Sequence, residues 1–224
     1  LLLIVASSYK QENPLHALIQ GSSGSGKTLL LRKIMDLLPE PSRHIWTRIT
    51  DKSLYHAGEK YKHKAVAIED WDGLSEEVQY VIRELQSGQI LRSSTTEKLA
   101  DGRMSSKETV AYGPIASLMC TTRGSVYEDN MSRCFLVAVD ESEAQTDRIL
   151  DYQYRKDRGE IDKTGEQENS RFIQVLIELL KPLQVVNPFA GKVQLPKNAH
   201  KIRRLNGLYQ TFVQQIAWLH QYQR

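Results

Sequence analysis

Cysteine is scarce in this chain of 224 residues: there are only two, Cys120 and Cys134, and both lie in apolar segments. Two cysteines cannot build the disulfide framework that stabilises many small secreted domains. Neither has histidine or acidic neighbours at the spacing of a metal site. The pattern therefore predicts two buried free thiols in a reducing cytoplasm and argues against a structural zinc site.

Long apolar runs are also missing. The opening run from Leu1 to Ala6 is far too short to span a bilayer and has no charged leader, so we expect no membrane partner and a cytoplasmic location. The net charge is only +3, so a nucleic-acid partner must be argued from where individual charges lie. Because residue 1 is not methionine, we expect an excised piece of a longer protein.

Glycine and serine, in contrast, are concentrated in one segment. The pattern G-x-x-x-x-G-K-T is filled by Gly21, Gly26, Lys27 and Thr28, between a predicted short strand and a predicted helix that Pro39 stops. Backbone N–H groups of such a loop converge on a phosphate, and the positive end of the helix dipole points to the same place. A flexible linker is the alternative, which the flanking elements disfavour. The segment therefore predicts a phosphate-binding P-loop.

This loop predicts ATP and Mg²⁺ as cofactors. We expect Lys27 to contact the β- and γ-phosphates and Thr28 to ligate Mg²⁺. The predicted nucleotide-binding residues of the loop are Gly21, Ser22, Ser23, Gly24, Ser25, Gly26, Lys27, Thr28 and Leu29.

Two carboxylates follow the third predicted strand. The apolar segment 65–68 ends in Glu69 and Asp70, the arrangement of a Walker B motif. One carboxylate is expected to hold Mg²⁺, and we assign this role to Glu69; the other polarises the attacking water. The sequence leaves open which of the two is the catalytic base.

Strands alternate with helices in the first part of the chain. The predicted strands are 16–19, 44–49, 65–68, 115–121 and 135–139, and the arms 90–96 and 108–112 predict a β-hairpin. From Glu143 onward only helical periodicity is present. The pattern predicts an α/β nucleotide-binding core with a parallel sheet at residues 1–140 and a small helical domain at residues 141–224.

The chain resembles the AAA+ ATPases, in particular the MCM-like ring helicases, in residues 69–77, in the helix that follows them and in the hairpin. The segment 115–122 is placed like the sensor-1 strand of that family, and 128–135 is similar to its arginine-finger segment. The chain also resembles the ATPase region of primase-helicases carried by bacterial mobile elements. The likeness covers most of residues 15 to 140, and it implies a presensor-1 hairpin and a helical lid.

The resemblance also implies roles for single residues. Thr121 or Thr122 would be the sensor-1 residue near the γ-phosphate, and Arg133 would be an arginine finger that acts on the neighbouring subunit's site. Arg203 or Arg204 would be sensor 2, and we assign this role to Arg204.

The hairpin tip carries three cations, Lys98, Arg103 and Lys107. In a ring these residues would line the central channel, where cations can follow the phosphates of single-stranded DNA without reading sequence. The resemblance thus implies a homo-oligomer, a hexameric ring, with DNA as its partner.

Two features depart from the family. Its Walker B order is Asp then Glu, whereas this chain has Glu69 then Asp70, and no helical insertion lies between the second and third strands.

The predicted function is a ring-forming, ATP-driven DNA helicase or translocase in the replication of a mobile element. The alternative is a AAA+ regulatory switch that binds DNA and recruits partners without unwinding; a protein remodeller is disfavoured because Tyr55–Gly58 is a poor pore loop.

Overall fold

Five parallel strands form the central sheet of the computed structural model, which describes residues 1–98, 104–124, 132–162 and 164–223. The described ranges contain seven strands. They are β1 (His16–Gln20), β2 (Arg43–Trp46), β3 (Lys64–Ile68), β4 (Ile90–Lys98), β5 (Met104–Tyr112), β6 (Ile115–Thr121) and β7 (Phe135–Ala138). The order in the central sheet is β2-β3-β6-β1-β7. The prediction of an α/β fold with a parallel sheet is confirmed, and β2 ends three residues earlier than the apolar pattern predicted.

Seven α-helices lie among the described residues. They are α1 (Leu2–Ser7), α2 (Lys27–Asp36), α3 (Asp51–Tyr55), α4 (Glu76–Ser87), α5 (Glu143–Asp157), α6 (Thr164–Leu179) and α7 (Ile202–Leu219). The start of α4 follows a local rule, because the Ser75 hydroxyl accepts a hydrogen bond from the Val78 N–H at 3.3 Å. Gly88 follows the last residue of the same helix, and its N–H donates a hydrogen bond to the Glu84 carbonyl.

Each face of the central sheet has its own apolar core. Ala17, Ile19 and Leu118 pack on one face with α1 and α2, whereas Leu18 and Met119 pack on the other face with α4. This alternation follows from the two-residue period of a strand. Cys120 and Cys134 are both buried and free, as predicted, and burial raises the pKa of each thiol to about 12.

The predicted hairpin is present as a separate two-stranded antiparallel sheet. Its arms β4 and β5 are longer than predicted and pair from Ile90 opposite Tyr112 to Lys98 opposite Met104. Its base is tied to the core, since Leu91 and Ala111 are buried. The tip residues 99–103 lie outside the described residues.

The C-terminal helices contact the core through α1 and β7. Ile177 of α6 belongs to the same apolar cluster as α1, and the Phe135 and Phe212 rings lie 5.1 Å apart. The Lys10 ammonium donates hydrogen bonds to the carbonyl of Ile177 at 2.6 Å and to that of Leu180 at 3.0 Å, where α6 ends.

The domain boundary at residue 140 stays a prediction. Within the described ranges, none of the helices combines the length and the apolar character needed to cross a bilayer.

Candidate functional site

The glycine-rich loop joins the end of β1 to the start of α2. Gly24 and Gly26 have φ angles of 82° and 93°, which residues with side chains rarely adopt. Gly26 is the residue immediately before α2, so the loop leads directly into the free N–H groups of the first helical turn. The predicted P-loop therefore has the backbone of an anion-binding site.

Lys27 lies inside this loop. It is 7% exposed, and its ammonium donates hydrogen bonds to the carbonyls of Gly21 at 2.8 Å and Ser22 at 2.5 Å. The Ser25 hydroxyl is buried and has no hydrogen-bond partner among the described residues. A buried hydroxyl without a partner is costly, and a phosphate oxygen would satisfy it. The loop thus fits a nucleotide phosphate.

Glu141 also binds the loop, a contact that the sequence did not predict. Its carboxylate accepts hydrogen bonds from the Ser22 hydroxyl and from the Ser22 N–H, each at 2.6 Å. These two bonds, and then the nearby charge of Lys27, lower the pKa of Glu141. The only sequence signal was an acid shortly after β7, whose position beside β1 is set by the sheet order.

Replacing Glu141 by alanine should tighten nucleotide binding. Its carboxylate accepts a hydrogen bond from the Ser22 N–H, which a phosphate would otherwise accept, and its negative charge repels an anion. Because Glu141 is exposed and water screens it, we expect a gain of about 2- to 5-fold. Fluorescent-nucleotide titration would measure it, with Glu143→Ala as the control that removes a nearby exposed acid. An unchanged affinity in Glu141→Ala would contradict this expectation.

Glu69 faces the P-loop helix. Its carboxylate forms an ion pair with Arg32 of α2 and accepts a hydrogen bond from the Thr47 hydroxyl at 3.0 Å, and its side chain is 8% exposed. The bond from Arg32 is the main cause that lowers the pKa of Glu69. Asp70 is exposed and accepts a hydrogen bond from the Gly73 N–H at 3.1 Å within its own turn. Of the two predicted acids, Glu69 is the one directed toward the P-loop helix.

Thr121 ends β6, which lies between β1 and β3. Its carbonyl accepts a hydrogen bond from the Gly21 N–H at 3.3 Å, so the residue adjoins the P-loop. Its hydroxyl donates to the carboxylate of Asp72 at 2.7 Å, and Thr122 donates to the same carboxylate through its N–H at 2.7 Å and its hydroxyl at 2.9 Å. Asp72, which the sequence did not single out, therefore holds both candidate sensor residues.

Asp72→Asn should destabilise the protein by about 1–3 kcal/mol at neutral pH, the cost of weakening several hydrogen bonds to a largely buried carboxylate. Burial alone would raise the pKa of Asp72, but the bonds from Thr122 and Thr121 outweigh it and lower the pKa. The stabilisation is therefore complete above the unfolded pKa of about 3.9 and is lost as the pH falls below it.

Urea unfolding of the native chain and Asp72→Asn at several pH values would test this. The difference in the free energy of unfolding should be constant from about pH 5 to 7 and shrink toward pH 3. A difference that grew as the pH fell would contradict the assigned role. Glu76→Gln, on an exposed acid that starts α4, serves as the control.

Arg133 and Arg204 are not brought to the P-loop. Arg133 lies two residues before β7, whose first residue pairs with Ala17. Gly21, just after β1, is four residues beyond Ala17, about 13 Å at 3.3 Å per residue. The Arg133 guanidinium donates to the Ser87 hydroxyl at 2.8 Å, and that of Arg204 donates to the Ser132 hydroxyl at 2.9 Å. Both arginines therefore lie toward the amino edge of the sheet, and their predicted roles stay predictions.

The predicted DNA-contacting residues lie on the hairpin. Lys107 is exposed on β5, whereas Arg103 and the side chain of Lys98 lie outside the described residues. For the metal, the described ranges contain no group of three or more histidine, cysteine or acidic side chains that could hold an ion. Mg²⁺ beside a nucleotide is usually held by one or two protein ligands and the phosphates. The assignment of Mg²⁺ to Thr28 and Glu69 stays a prediction.

Comparison with known protein families gives one match that bears on this site. A family model described as MTBMA_p00010 P-loop domain matches residues 1–181 of the 224. The match runs past residue 140 through α5 and α6. No curated protein matches the sequence. The predicted P-loop is confirmed, and the match supports a nucleotide-binding NTPase.

Proposed function

The chain belongs to the MTBMA_p00010 P-loop domain family, and we propose that it is the ATP-hydrolysing motor domain of a ring-forming DNA helicase or translocase. Its cofactors would be ATP and Mg²⁺, and its role would be in the replication of a mobile genetic element. The fold would be that of a AAA+ protein, with the β4–β5 hairpin as its presensor-1 hairpin and α5 to α7 as its lid.

The observation that carries the proposal is the position of β6 between β1 and β3. The carboxyl ends of parallel strands meet at one edge of a sheet, so the P-loop, Thr121 and Glu69 lie side by side there. Lys27 would neutralise phosphate charge, and Glu69 would accept the proton of the attacking water. With Glu69 in this role, Mg²⁺ would be held by Thr28 and the phosphates, and it would supply further charge stabilisation.

The position of Arg133 favours action between subunits. It lies at the edge opposite its own P-loop, so a role in catalysis requires a neighbouring chain that presents its P-loop to this edge. The guanidinium could then stabilise the charge of the transferring phosphoryl group, as an arginine finger does.

The hairpin supports DNA as the partner. Its two nine-residue arms form a sheet of their own outside the central sheet, and Lys107 is exposed along one arm. A strand pair outside the central sheet with an exposed cation suits contact with phosphates that run through a channel.

Hydrolysis of ATP by mixed variants tests this proposal. Lys27→Ala and Arg133→Ala should each be inactive alone, and an equal mixture should regain activity because one interface then combines an intact P-loop with an intact arginine. Single-stranded DNA should stimulate the native chain. Arg171→Ala removes an exposed arginine from α6 and should be normal.

The outcomes separate the functions. Normal hydrolysis by Arg133→Ala would exclude the composite site. A strand-displacement assay then distinguishes a helicase from a regulatory switch, since a switch would hydrolyse ATP without displacing a strand.

A further inference from the structure

A cleft of about 550 Å³ opens beside β2, on the far side of the sheet from β1. It combines three aromatic rings with two cations: His44, Trp46, Tyr61, Arg48 and Lys60 all line it. Strand β2 is the last strand of the described central sheet, so this cleft is separate from the P-loop. Neither the P-loop chemistry nor the hairpin accounts for it.

The three rings pack against one another. The His44 and Tyr61 rings meet edge to face with centroids 5.1 Å apart, and Trp46 meets Tyr61 in the same way at 4.9 Å. Tyr61 is buried, while His44 and Trp46 are half-buried. Edge-to-face packing is a favourable ring geometry, so Tyr61 supports His44 and Trp46 at the border of the cleft.

The cleft is also electropositive. Arg48 and Lys60 are exposed and form no salt bridge with any residue in the described ranges, and the Lys60 ammonium lies 5.3 Å from the centre of the Tyr61 ring. The same field affects His44: burial, and then the charges of Lys60 and Lys64, lower its pKa. The two exposed cations would attract phosphate to the site.

We propose that this cleft binds single-stranded DNA, with a base against Trp46 and the flanking phosphates on Arg48 and Lys60. Aromatic rings that take a base together with cations that follow the backbone are the two components of sequence-independent single-strand binding. The inference rests on the proposed function, to which it adds a second DNA contact besides the hairpin. A free nucleotide offers the same chemistry of a base linked to phosphate, and the experiment must distinguish the two.

The cleft adjoins Glu69 of the candidate ATPase site. The Trp46 carbonyl accepts a hydrogen bond from the Glu69 N–H at 3.1 Å, and the next residue, Thr47, donates its hydroxyl to the Glu69 carboxylate at 3.0 Å. DNA on Trp46 and Arg48 would thus lie on the chain segment that holds Glu69. This contact offers a direct route by which DNA could stimulate hydrolysis.

Binding of a fluorescent oligothymidylate tests the cations. Arg48→Ala with Lys60→Ala should weaken binding about tenfold at low salt and reduce the slope of log K against log salt by about 1.4, or 0.7 for each lost phosphate contact. Arg148→Ala with Lys156→Ala removes the same charge from exposed positions on α5 and should leave both quantities unchanged. Equal effects of the two double variants would overturn the cleft as the binding site.

Tryptophan fluorescence tests the ring. Trp71 and Trp218 are 5% and 1% exposed, so quenching by the oligonucleotide should come from Trp46 and should vanish in Trp46→Phe. Quenching that persists in Trp46→Phe would overturn the proposal, as would quenching by thymidine monophosphate with no binding of the oligonucleotide.

The test of the cleft can be separated from the test of the motor function. Lys27→Ala should keep oligonucleotide binding while it loses ATP hydrolysis. If DNA stimulates ATP hydrolysis by the native chain but the Arg48→Ala, Lys60→Ala double variant binds the oligonucleotide normally, the cleft assignment fails and the motor function stands.

Discussion

Lys27→Ala should lose ATP hydrolysis by about 100- to 1,000-fold, the range for removing a preorganised electrostatic donor. The Lys27 ammonium is the cation that the loop encloses, held 2.8 Å from the Gly21 carbonyl. In Lys27→Ala no ammonium neutralises the phosphate charge, and the carbonyls of Gly21 and Ser22 lose their hydrogen-bond donor. Release of inorganic phosphate measures the loss, and circular dichroism during heating shows whether the variant is folded.

The matched control lies on the same helix. Lys33 is exposed and paired with Glu166 at 2.9 Å, so Lys33→Ala removes an equal charge outside the loop. Its hydrolysis should remain within about twofold of the native rate, as for most surface substitutions. Similar losses in both variants would show that total charge on α2, and not the loop contact, governs activity.

Glu69→Gln should bind nucleotide normally but hydrolyse it about 100-fold or more slowly. Glutamine keeps the shape and can still accept hydrogen bonds from Arg32 and Thr47, but it cannot take a proton from water. Nucleotide titration and single-turnover hydrolysis measure the two quantities separately.

Asp70→Asn provides the comparison, since the sequence could not assign the base. Asp70 is exposed and bonded within its own turn, so its variant should retain hydrolysis within about twofold. The reverse result, with Asp70→Asn inactive and Glu69→Gln active, would make Asp70 the base.

The elements of the fold were largely predictable because their signals are local. Apolar runs such as Ile115–Thr121 identify buried strands within a few consecutive residues. The hairpin arms were predicted too short, since the polar residues after Thr96 show no apolar alternation although Lys98 still pairs with Met104.

The P-loop was also predictable, for the same reason. All of its donors lie within eight consecutive residues from Gly21 to Thr28, so strand, loop and helix order is enough to bring them together. The acids Glu69 and Asp70 were found by their place after a strand. Their different surroundings were not predictable, because the surroundings of Glu69 depend on Arg32, which lies 37 residues earlier on α2.

The sequence by itself thus determined the phosphate-binding loop, the strands and the helices, because each is encoded by short-range spacing. Only the tertiary structure decided what surrounds the loop. The order β2-β3-β6-β1-β7 brings Glu141 to Ser22, Thr121 to Asp72 and Arg32 to Glu69, partners that are 37 to 119 residues apart. It also leaves β2 at an edge, where Trp46 and Arg48 border an open cleft. Strand order depends on packing over the whole chain, so no local pattern could supply these contacts.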